Sequence, residues 1–451
     1  MILLVTALSA WAWVQTPAGA PVPVEWNDGG EVVRTSGKFA VFLLMPIVML
    51  PIHLLFLLLP RIEPRGLNLR RSRKAYVTIW LGLLALLVIL HALTVINALG
   101  HPVDIWQITP ILMGALFILL GNYMGKIRSN FFVGIKTPWT LSSERAWNKT
   151  HRLGGWLFVL LGLLFAVAGY FVGEIAWLVI LVSGTFATTI FLAAYSYVVW
   201  KNDPQKHLAN DKEITPMEPG NLIAETKPTW GPVIAITTAI ILLTFAVCAW
   251  AWLQVPTGKP LPVHWNIHGE VDRYSGKFEA LLLMPLIALG IQALLIVIPL
   301  LEPRRLNLQR SWKAYAAIWI GVLALLAAIY GALVLNALGQ PVNPGRVAPV
   351  LLGLLFVVLG NYMGKIRSNF FVGIRTPWTL SSERAWNKTH RLGGWVFLAL
   401  GLLIVLVGLL ADAPVAFVIL MSGVIGAVLF LVVYSYIAWK QDPEKQMIGR
   451  R

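Results

Sequence analysis

Long apolar runs alternate with short polar connections along the whole chain. Most of these runs are about 17–25 residues long, the length that a helix needs to cross a hydrocarbon core of roughly 30 Å. Backbone groups inside lipid must pair within their own segment, so such runs are predicted to be α-helices. The predicted spans lie at 1–14, 39–60, 75–99, 104–124, 155–172 and 176–199, and again at 230–255, 278–300, 314–338, 347–363, 394–410 and 414–438. The pattern therefore predicts an all-α membrane protein of about twelve transmembrane helices. The run at 1–14 is short, but because its counterpart at 230–255 is a full span we expect a retained span rather than a cleaved signal peptide.

The second half of the chain repeats the first at a constant offset. Residues 121–156, which begin Gly-Asn-Tyr-Met-Gly-Lys-Ile-Arg, return at 360–395 with one change, Lys136 to Arg375. The offset is 239 residues (360 minus 121) and holds without a gap. Repeats of this length are whole domains, so we predict a six-span repeat at 1–200, a linker at 201–229 and a second six-span repeat at 230–451. The apolar flanks differ more than this segment does, which indicates that the segment is constrained by more than membrane insertion.

Composition and charge support a membrane protein and predict its orientation. The chain is 58% hydrophobic and 12% charged, with a formal net charge of +16. This charge is typical either of nucleic-acid binding or of basic cytoplasmic loops, and we prefer the loops. Positive-rich connections at 61–74 and 125–154 alternate with positive-poor ones, as the positive-inside rule requires. Both termini and the repeated segments are then cytoplasmic. An even number of spans per half predicts two parallel repeats related by an axis along the membrane normal.

Short polar stretches at 15–38 and 256–277 are predicted to be extracytoplasmic hairpins. Alternating apolar residues followed by a glycine-containing turn favour two short strands. Both copies contain a Trp-Asn pair, and an exposed indole beside an amide is suited to contact a ligand. The alternative is a Trp that anchors at the interface and an Asn that holds the turn. The candidate ligand-binding residues are Trp26, Asn27, His264, Trp265 and Asn266.

The repeated segment has the polar residues of a partner-binding or structural site. Ser142 or Ser143 is predicted to cap a short helix that ends at Gly154-Gly155. Helical spacing would place Glu144, Trp147, Asn148 and His151 on one face and Arg145, Lys149 and Arg152 on another. The candidate residues are Asn122, Arg128, Asn130, Trp139, Glu144, Arg145, Asn148, His151 and Arg152, with their copies Asn361, Arg367, Asn369, Trp378, Glu383, Arg384, Asn387, His390 and Arg391.

Three interpretations of this polar face remain open. It could be catalytic or metal-binding, it could lock two spans together, or it could dock a cytoplasmic partner. The spacing matches no strong metal motif such as His-Glu-x-x-His, and ionisable residues are scarce inside the predicted spans. We predict no catalytic residue, no metal and no cofactor. The single cysteine, Cys248, lies in an apolar run, so no intrachain disulfide is expected.

The repeated motif resembles the signature of the SdpI family. The motif runs Gly-Asn-Tyr-Met-Gly-Lys-Ile-Arg-x-Asn-Phe-Phe-x-Gly-Ile, then Lys or Arg, then Thr-Pro-Trp-Thr-Leu. The Trp-Asn hairpin between two helices resembles the small domain of unknown function that precedes this signature in many members. The resemblance implies a bacterial plasma-membrane protein that protects against a secreted peptide toxin. In the best-understood system the family member also senses the peptide and holds a transcriptional repressor at the membrane.

Three functions follow as hypotheses from the sequence and the resemblance. The first is a non-enzymatic immunity or signal-receptor protein, whose partners would be the bilayer, a secreted peptide and a cytoplasmic repressor, with no direct nucleic-acid contact. The second is a two-fold repeat transporter of a small molecule or peptide, favoured by twelve spans in two halves. The third, a membrane-embedded enzyme, has only the Glu144, Asn148 and His151 face in its support.

Overall fold

The computed structural model describes residues 1–26, 31–101, 103–206, 228–340, 342 and 344–444, without the side chains of 26 and 344–346. The chain divides into two compact units, Met1–Glu213 and Ile214–Arg450. The boundary falls inside the predicted linker 201–229, of which 207–227 lie outside the described residues. Each unit is described by itself below.

The first unit contains eight helices and one hairpin in the described residues. They are α1 Ile2–Gln15, β1 Val22–Trp26, β2 Val32–Ser36, a π-helical turn Phe39–Leu43 that runs into α2 Leu44–Ile62, α3 Gly66–Arg71, α4 Arg73–Ala98, α5 Ile105–Met124, α6 Pro138–Ser142, α7 Glu144–Phe171 and α8 Glu174–Lys201.

The second unit repeats this order. Its elements are α9 Trp230–Gln254, β3 Leu261–Trp265, β4 Val271–Ser275, a π-helical turn Phe278–Leu282 that runs into α10 Leu283–Leu301, α11 Arg305–Arg310, α12 Trp312–Ala337, α13 Pro344–Met363, α14 Pro377–Ser381, α15 Glu383–Leu410 and α16 Ala413–Lys440.

Ten helices in the described part of the chain are long and apolar enough to cross a membrane. Two more apolar helices are shorter, Ile2–Gln15 and the stretch Val347–Met363 of α13. The helical membrane architecture is therefore confirmed. The total of twelve spans and their parallel arrangement stay predictions.

The predicted end of the loop helix at Gly154-Gly155 is wrong, because α7 runs without a break from Glu144 to Phe171. The glycines here allow α5 and α7 to pack closely and do not end α7. A Cβ atom on Gly121 of α5 would lie 2.5 Å from the carbonyl oxygen of Gly155. One on Gly114 would lie 2.5 Å from the carbonyl oxygen of Gly162. Small residues let two membrane helices approach closely, so these glycines allow α5 to pack against α7. Because the helices are not interrupted, the predicted spans at 155–172 and 394–410 begin eleven residues earlier in the structure, at Glu144 and Glu383.

Both predicted hairpins are antiparallel strand pairs. Val22 pairs with Ser36 in the first and Leu261 with Ser275 in the second, with irregular register near the turn. Val22 is fully buried in a cluster with Ala12 of α1 and Phe42 of the π-helical turn. The hairpin is thus attached to the end of the helices by the first residue of its first strand.

Candidate functional site

Residues 125–137 connect α5 to α6 without regular structure, and we call this stretch the anchor loop; its copy is 364–376. The Asn130 side chain organises it. The Nδ2 group donates to the carbonyl oxygens of Arg128 and Val133, each at 2.9 Å, and Oδ1 accepts from the N–H groups of Phe132 and Val133 at 2.9 and 2.7 Å. Asn369 makes the same four bonds in the second unit. The amide is fully buried, so it is a structural centre of the loop.

His151 of α7 holds the other end of the anchor loop. Its Nε2 accepts from the N–H of Ile135 at 2.9 Å, and its Nδ1 lies 2.8 Å from the carbonyl oxygen of Trp147. Because a backbone N–H only donates and a carbonyl only accepts, the ring is neutral with its proton on Nδ1. The imidazole also stacks on the Trp147 indole with 3.9 Å between ring centroids. Both ring nitrogens are thus used inside the protein, and the ring serves to bind the loop to α7.

Gly134 is required where the loop passes His151. Its φ is +120°, and a Cβ atom there would lie 2.4 Å from Nε2 of His151. Any larger residue would therefore be strained and would push the imidazole away from the N–H of Ile135. Gly373 has a φ of +114° and the same 2.4 Å distance to His390.

A buried carboxylate joins the anchor loop to the connection between α2 and α3. Glu63 Oε1 accepts from the N–H of Arg65 at 2.8 Å, and Oε2 accepts from the N–H of Phe131 at 3.0 Å. Burial raises the pKa of Glu63, and the two N–H groups and the Arg65 guanidinium oppose that rise. Glu302 bonds Arg304 and Phe370 at the same distances, and burial raises its pKa too.

Arg65 makes the corresponding contacts from the other side. Its guanidinium donates to Ser129 Oγ and, at 2.8 Å, to the carbonyl oxygen of Leu141, and its carbon lies 4.8 Å from the centre of the Phe131 ring. Glu63 and Arg65 lie in the connection 61–74, for which the sequence predicted only a cytoplasmic location from its positive charge. The signal that could have found them is Glu-Pro-Arg-x-Leu-Asn-Leu, which stands at both 63–69 and 302–308.

The last helix of each unit is tied to the same assembly. Ser143 caps α7 by accepting from the N–H of Ala146 at 3.0 Å, and its hydroxyl bonds Asp203, just beyond α8. This confirms Ser143, rather than Ser142, as the predicted cap. Thr137 Oγ1 lies 2.9 Å from Ser196 Oγ of α8. The anchor loop is therefore bonded to the start of α3, to α7 and to α8 together.

The structure separates the predicted site residues into two sets. The buried ones, which hold the assembly, are Asn130, Trp139 and His151 with their copies Asn369, Trp378 and His390. The exposed ones are Asn122, Arg128, Glu144, Arg145, Asn148 and Arg152 with their copies Asn361, Arg367, Glu383, Arg384, Asn387 and Arg391.

The prediction that Glu144, Trp147, Asn148 and His151 form one polar face is wrong, although the helical spacing that groups them holds in α7. Trp147 and His151 point into the protein, whereas Glu144 and Asn148 are exposed beside Arg145. The reason is that the indole and the imidazole fill the space beneath the anchor loop. Within the described residues no group of three or more His, Cys, Asp or Glu side chains is placed to hold a metal ion.

The hairpin of the second unit shows what its Asn does. Asn266 Oδ1 accepts from the N–H groups of His268 and Glu270 at 2.9 and 3.0 Å, and Nδ2 donates to Glu270 Oε2 at 2.9 Å. Asn266 thus holds the turn, which was the alternative interpretation. The exposed His264 lies 2.6 Å from Asp272 on the facing strand, and Trp265 is half-buried. In the first unit, Asn27 and the side chain of Trp26 lie outside the described residues.

Comparison with known proteins identifies the family. The model of the SdpI/YfhL protein family matches twice, at residues 126–196 and 365–435. A domain of unknown function, DUF1648, matches residues 239–289. The chain is 30% identical over 180 residues to "Immunity protein SdpI" of Bacillus subtilis (strain 168), an alignment that covers 39% of this chain and 83% of that protein. The chain belongs to the SdpI/YfhL family. It is a tandem member, with one family domain in each half, and no solved structure matches it.

The SdpI/YfhL matches coincide with the assembly described above. Each begins in the anchor loop, continues through α7 or α15 and ends in the last helix, at the serine that bonds Thr137 or Thr376. The DUF1648 match contains most of α9, the hairpin β3–β4 and the start of α10. Together with the ten apolar helices, membership of this family makes the chain a multi-pass membrane protein.

Proposed function

We propose that this chain is a non-enzymatic immunity and signal-receptor protein of the bacterial plasma membrane, which protects its cell against a secreted antimicrobial peptide. The observation that carries the proposal is the similarity to a protein named for immunity, along 83% of that protein's length. The buried part of the repeated segment supports it as well. Asn130, His151 and Glu63 have their polar atoms bonded to backbone groups, so these side chains hold structure rather than react with a substrate.

The outer hairpins are the proposed meeting point for the peptide. Trp26 and Trp265 supply apolar area, and Asn266 gives the turn a fixed shape. In the second unit, His264 and Asp272 add an exposed hydrogen-bonded pair of polar side chains on the same strands. An aromatic anchor in a preformed frame loses little entropy on binding. Asn266 therefore acts on the ligand through the turn, and the direct contacts fall to Trp265 and His264.

The exposed face of α7 is the proposed docking surface for a cytoplasmic repressor protein. Arg145 and Arg152 are exposed at the N-terminal end of α7, with Lys149 between them. The hydrogen bonds of the buried Asn130 and His151 side chains fix the backbone of the anchor loop against α7, so these cations lie on a rigid surface. Such an arrangement is suited to an acidic protein surface. Arg384 and Arg391 present the same surface in the second unit.

This division of roles requires hairpins outside the cell and anchor loops inside. Single cysteines at Val33 and Lys149, each exposed and each in a Cys248→Ala background, test it. In whole cells an impermeant thiol reagent should label Val33→Cys and should label Lys149→Cys only after lysis. The reverse pattern would overturn the orientation and the roles assigned to both surfaces.

Survival of toxin-treated cells tests the function itself. Cells that express the full chain should survive a secreted antimicrobial peptide from the same genome better than cells with the empty vector. The double variant Arg145→Ala/Arg384→Ala should keep that protection but recover less of the repressor with sedimented membranes, whereas Arg61→Ala, at another exposed arginine, should recover the normal amount. Equal killing with and without the chain would refute immunity, and energy-dependent uptake or export of the peptide would instead support a transporter.

A further inference from the structure

A cavity of about 250 Å³ lies in the second unit, where the ends of three apolar helices meet. It is bounded by the start of α9, the end of α10, the short helix α11 and the first turns of α12. Pockets that enclose whole small molecules usually measure about 300–1,000 Å³. This one is slightly smaller than that range.

The walls of the cavity are apolar, and its mouth opens away from the protein core. Leu308 and Trp319 lie at its base, each only 1% exposed. Ile234, Ile296 and Leu300 line its outer side and are 38%, 40% and 59% exposed. Because α9, α10 and α12 are candidate membrane spans, these three side chains face acyl chains in a bilayer.

Polar groups stand only at the end of the cavity formed by α11. Among the described residues that line it, Arg305 alone carries a charge, and Gln309 follows one turn later on the same helix. The Trp319 indole N–H does not serve the cavity, because it donates to Gln292 Oε1 at 2.7 Å. Trp230, at the first position of α9, lines the cavity at this level. Tryptophan and arginine at the ends of spans are typical of the headgroup region.

We propose that this cavity binds an anionic phospholipid from the surrounding leaflet. The phosphate would lie against the guanidinium of Arg305, which can donate two parallel hydrogen bonds to it. The upper part of one acyl chain would lie between Ile234, Ile296 and Leu300, and the rest would stay in the bilayer. Basic pockets between membrane helices recognise headgroups in this way. The position of Arg305 is held by Gly66 in the first unit, so the site is specific to the second unit.

Native mass spectrometry of the detergent-solubilised full chain tests the proposal. The probe is an equimolar mixture of phosphatidylglycerol, which is anionic, and phosphatidylcholine, which is zwitterionic. The unaltered chain should retain one phosphatidylglycerol in preference to phosphatidylcholine. Arg305→Gln should lower retention of phosphatidylglycerol about tenfold, the ratio expected when one charge-assisted hydrogen bond is lost. It should lower retention of phosphatidylcholine less, because the choline cation of that lipid already offsets the phosphate charge beside Arg305, so the preference for phosphatidylglycerol falls. Ile234→Trp, which fills the cavity, should lower retention of both lipids.

A matched variant separates the site from the general charge of the protein. Lys365→Gln removes an exposed cation of the same unit that does not line the cavity, and it should retain phosphatidylglycerol as the unaltered chain does. An unchanged lipid preference in Arg305→Gln would overturn the proposal. Equal loss in Lys365→Gln and Arg305→Gln would also overturn it, because the attraction would then be diffuse.

Discussion

Replacement of Asn130 by Ala should open the anchor loop of the first unit. The change removes four hydrogen bonds and leaves the N–H groups of Phe132 and Val133 without their acceptor at a fully buried position. A net contribution of about 1 kcal/mol for each bond, with the added cost of buried unpaired groups, gives roughly 3–5 kcal/mol. Each 1.4 kcal/mol changes an equilibrium constant about tenfold, so the population of the open loop should rise at least about a hundredfold.

Trypsin cleavage after Lys136 measures this opening, and the second unit provides the control within the same molecule. Arg375 stands at the equivalent position of an anchor loop whose Asn369 bonds are intact. When opening is fast relative to cleavage, the rate of cleavage follows the open population. Cleavage after Lys136 should therefore rise about a hundredfold relative to cleavage after Arg375.

Two further variants complete the experiment. Asn369→Ala should reverse the ratio of the two cleavage rates. Asn122→Ala, at an exposed asparagine of α5, should leave it unchanged. If Asn130→Ala keeps the ratio within twofold of the unaltered chain, the loop does not depend on this side chain and the reasoning is refuted.

Two more predictions concern the same assembly. Gly134→Ala should lower the melting temperature of the solubilised protein more than Gly100→Ala does. Both glycines have a positive φ, but only at Gly134 would a Cβ meet another atom within 4 Å. Equal effects would show that backbone strain alone accounts for the loss of stability. Burial raises the pKa of Glu63 and of Glu302. Between the ordinary carboxyl pKa and these raised values, the folded state therefore binds more protons than the unfolded state. The free energy of unfolding should fall as the pH rises through this window. The double variant Glu63→Gln/Glu302→Gln should be less stable but should lose that pH dependence, as measured by melting at a series of pH values; an unchanged slope would assign it to other groups.

Apolar run length and repeat structure predicted the helices well, because a span is determined by local composition. The positions of ten membrane helices, both hairpins and the Ser143 cap follow from residues near in sequence. The continuation of α7 through Gly154-Gly155 could not be predicted in this way. It depends on the close approach of Gly121 on another helix, and a glycine pair by itself is also a helix-ending signal.

The site was predictable only where its side chains act locally. Contacts between Glu63 and Phe131, or between Ser143 and Asp203, join residues 68 and 60 positions apart. Helical periodicity correctly predicted that Glu144 and His151 lie at similar angles around the axis of α7. It could not show that the anchor loop covers His151 and leaves Glu144 exposed. Likewise, the sequence left two roles open for Asn266, and the bonds to His268 and Glu270 assign it to the turn.

The most direct test of the account is toxin survival after the hairpin indoles are removed. Cells that express Trp26→Ala/Trp265→Ala, inserted at normal levels, should be killed by the peptide as readily as cells with the empty vector. Trp106→Ala removes an exposed indole at the start of α5, outside the hairpins, and should leave protection intact. Full protection by the hairpin variant would contradict the claim that the protein acts by meeting the peptide at its outer hairpins.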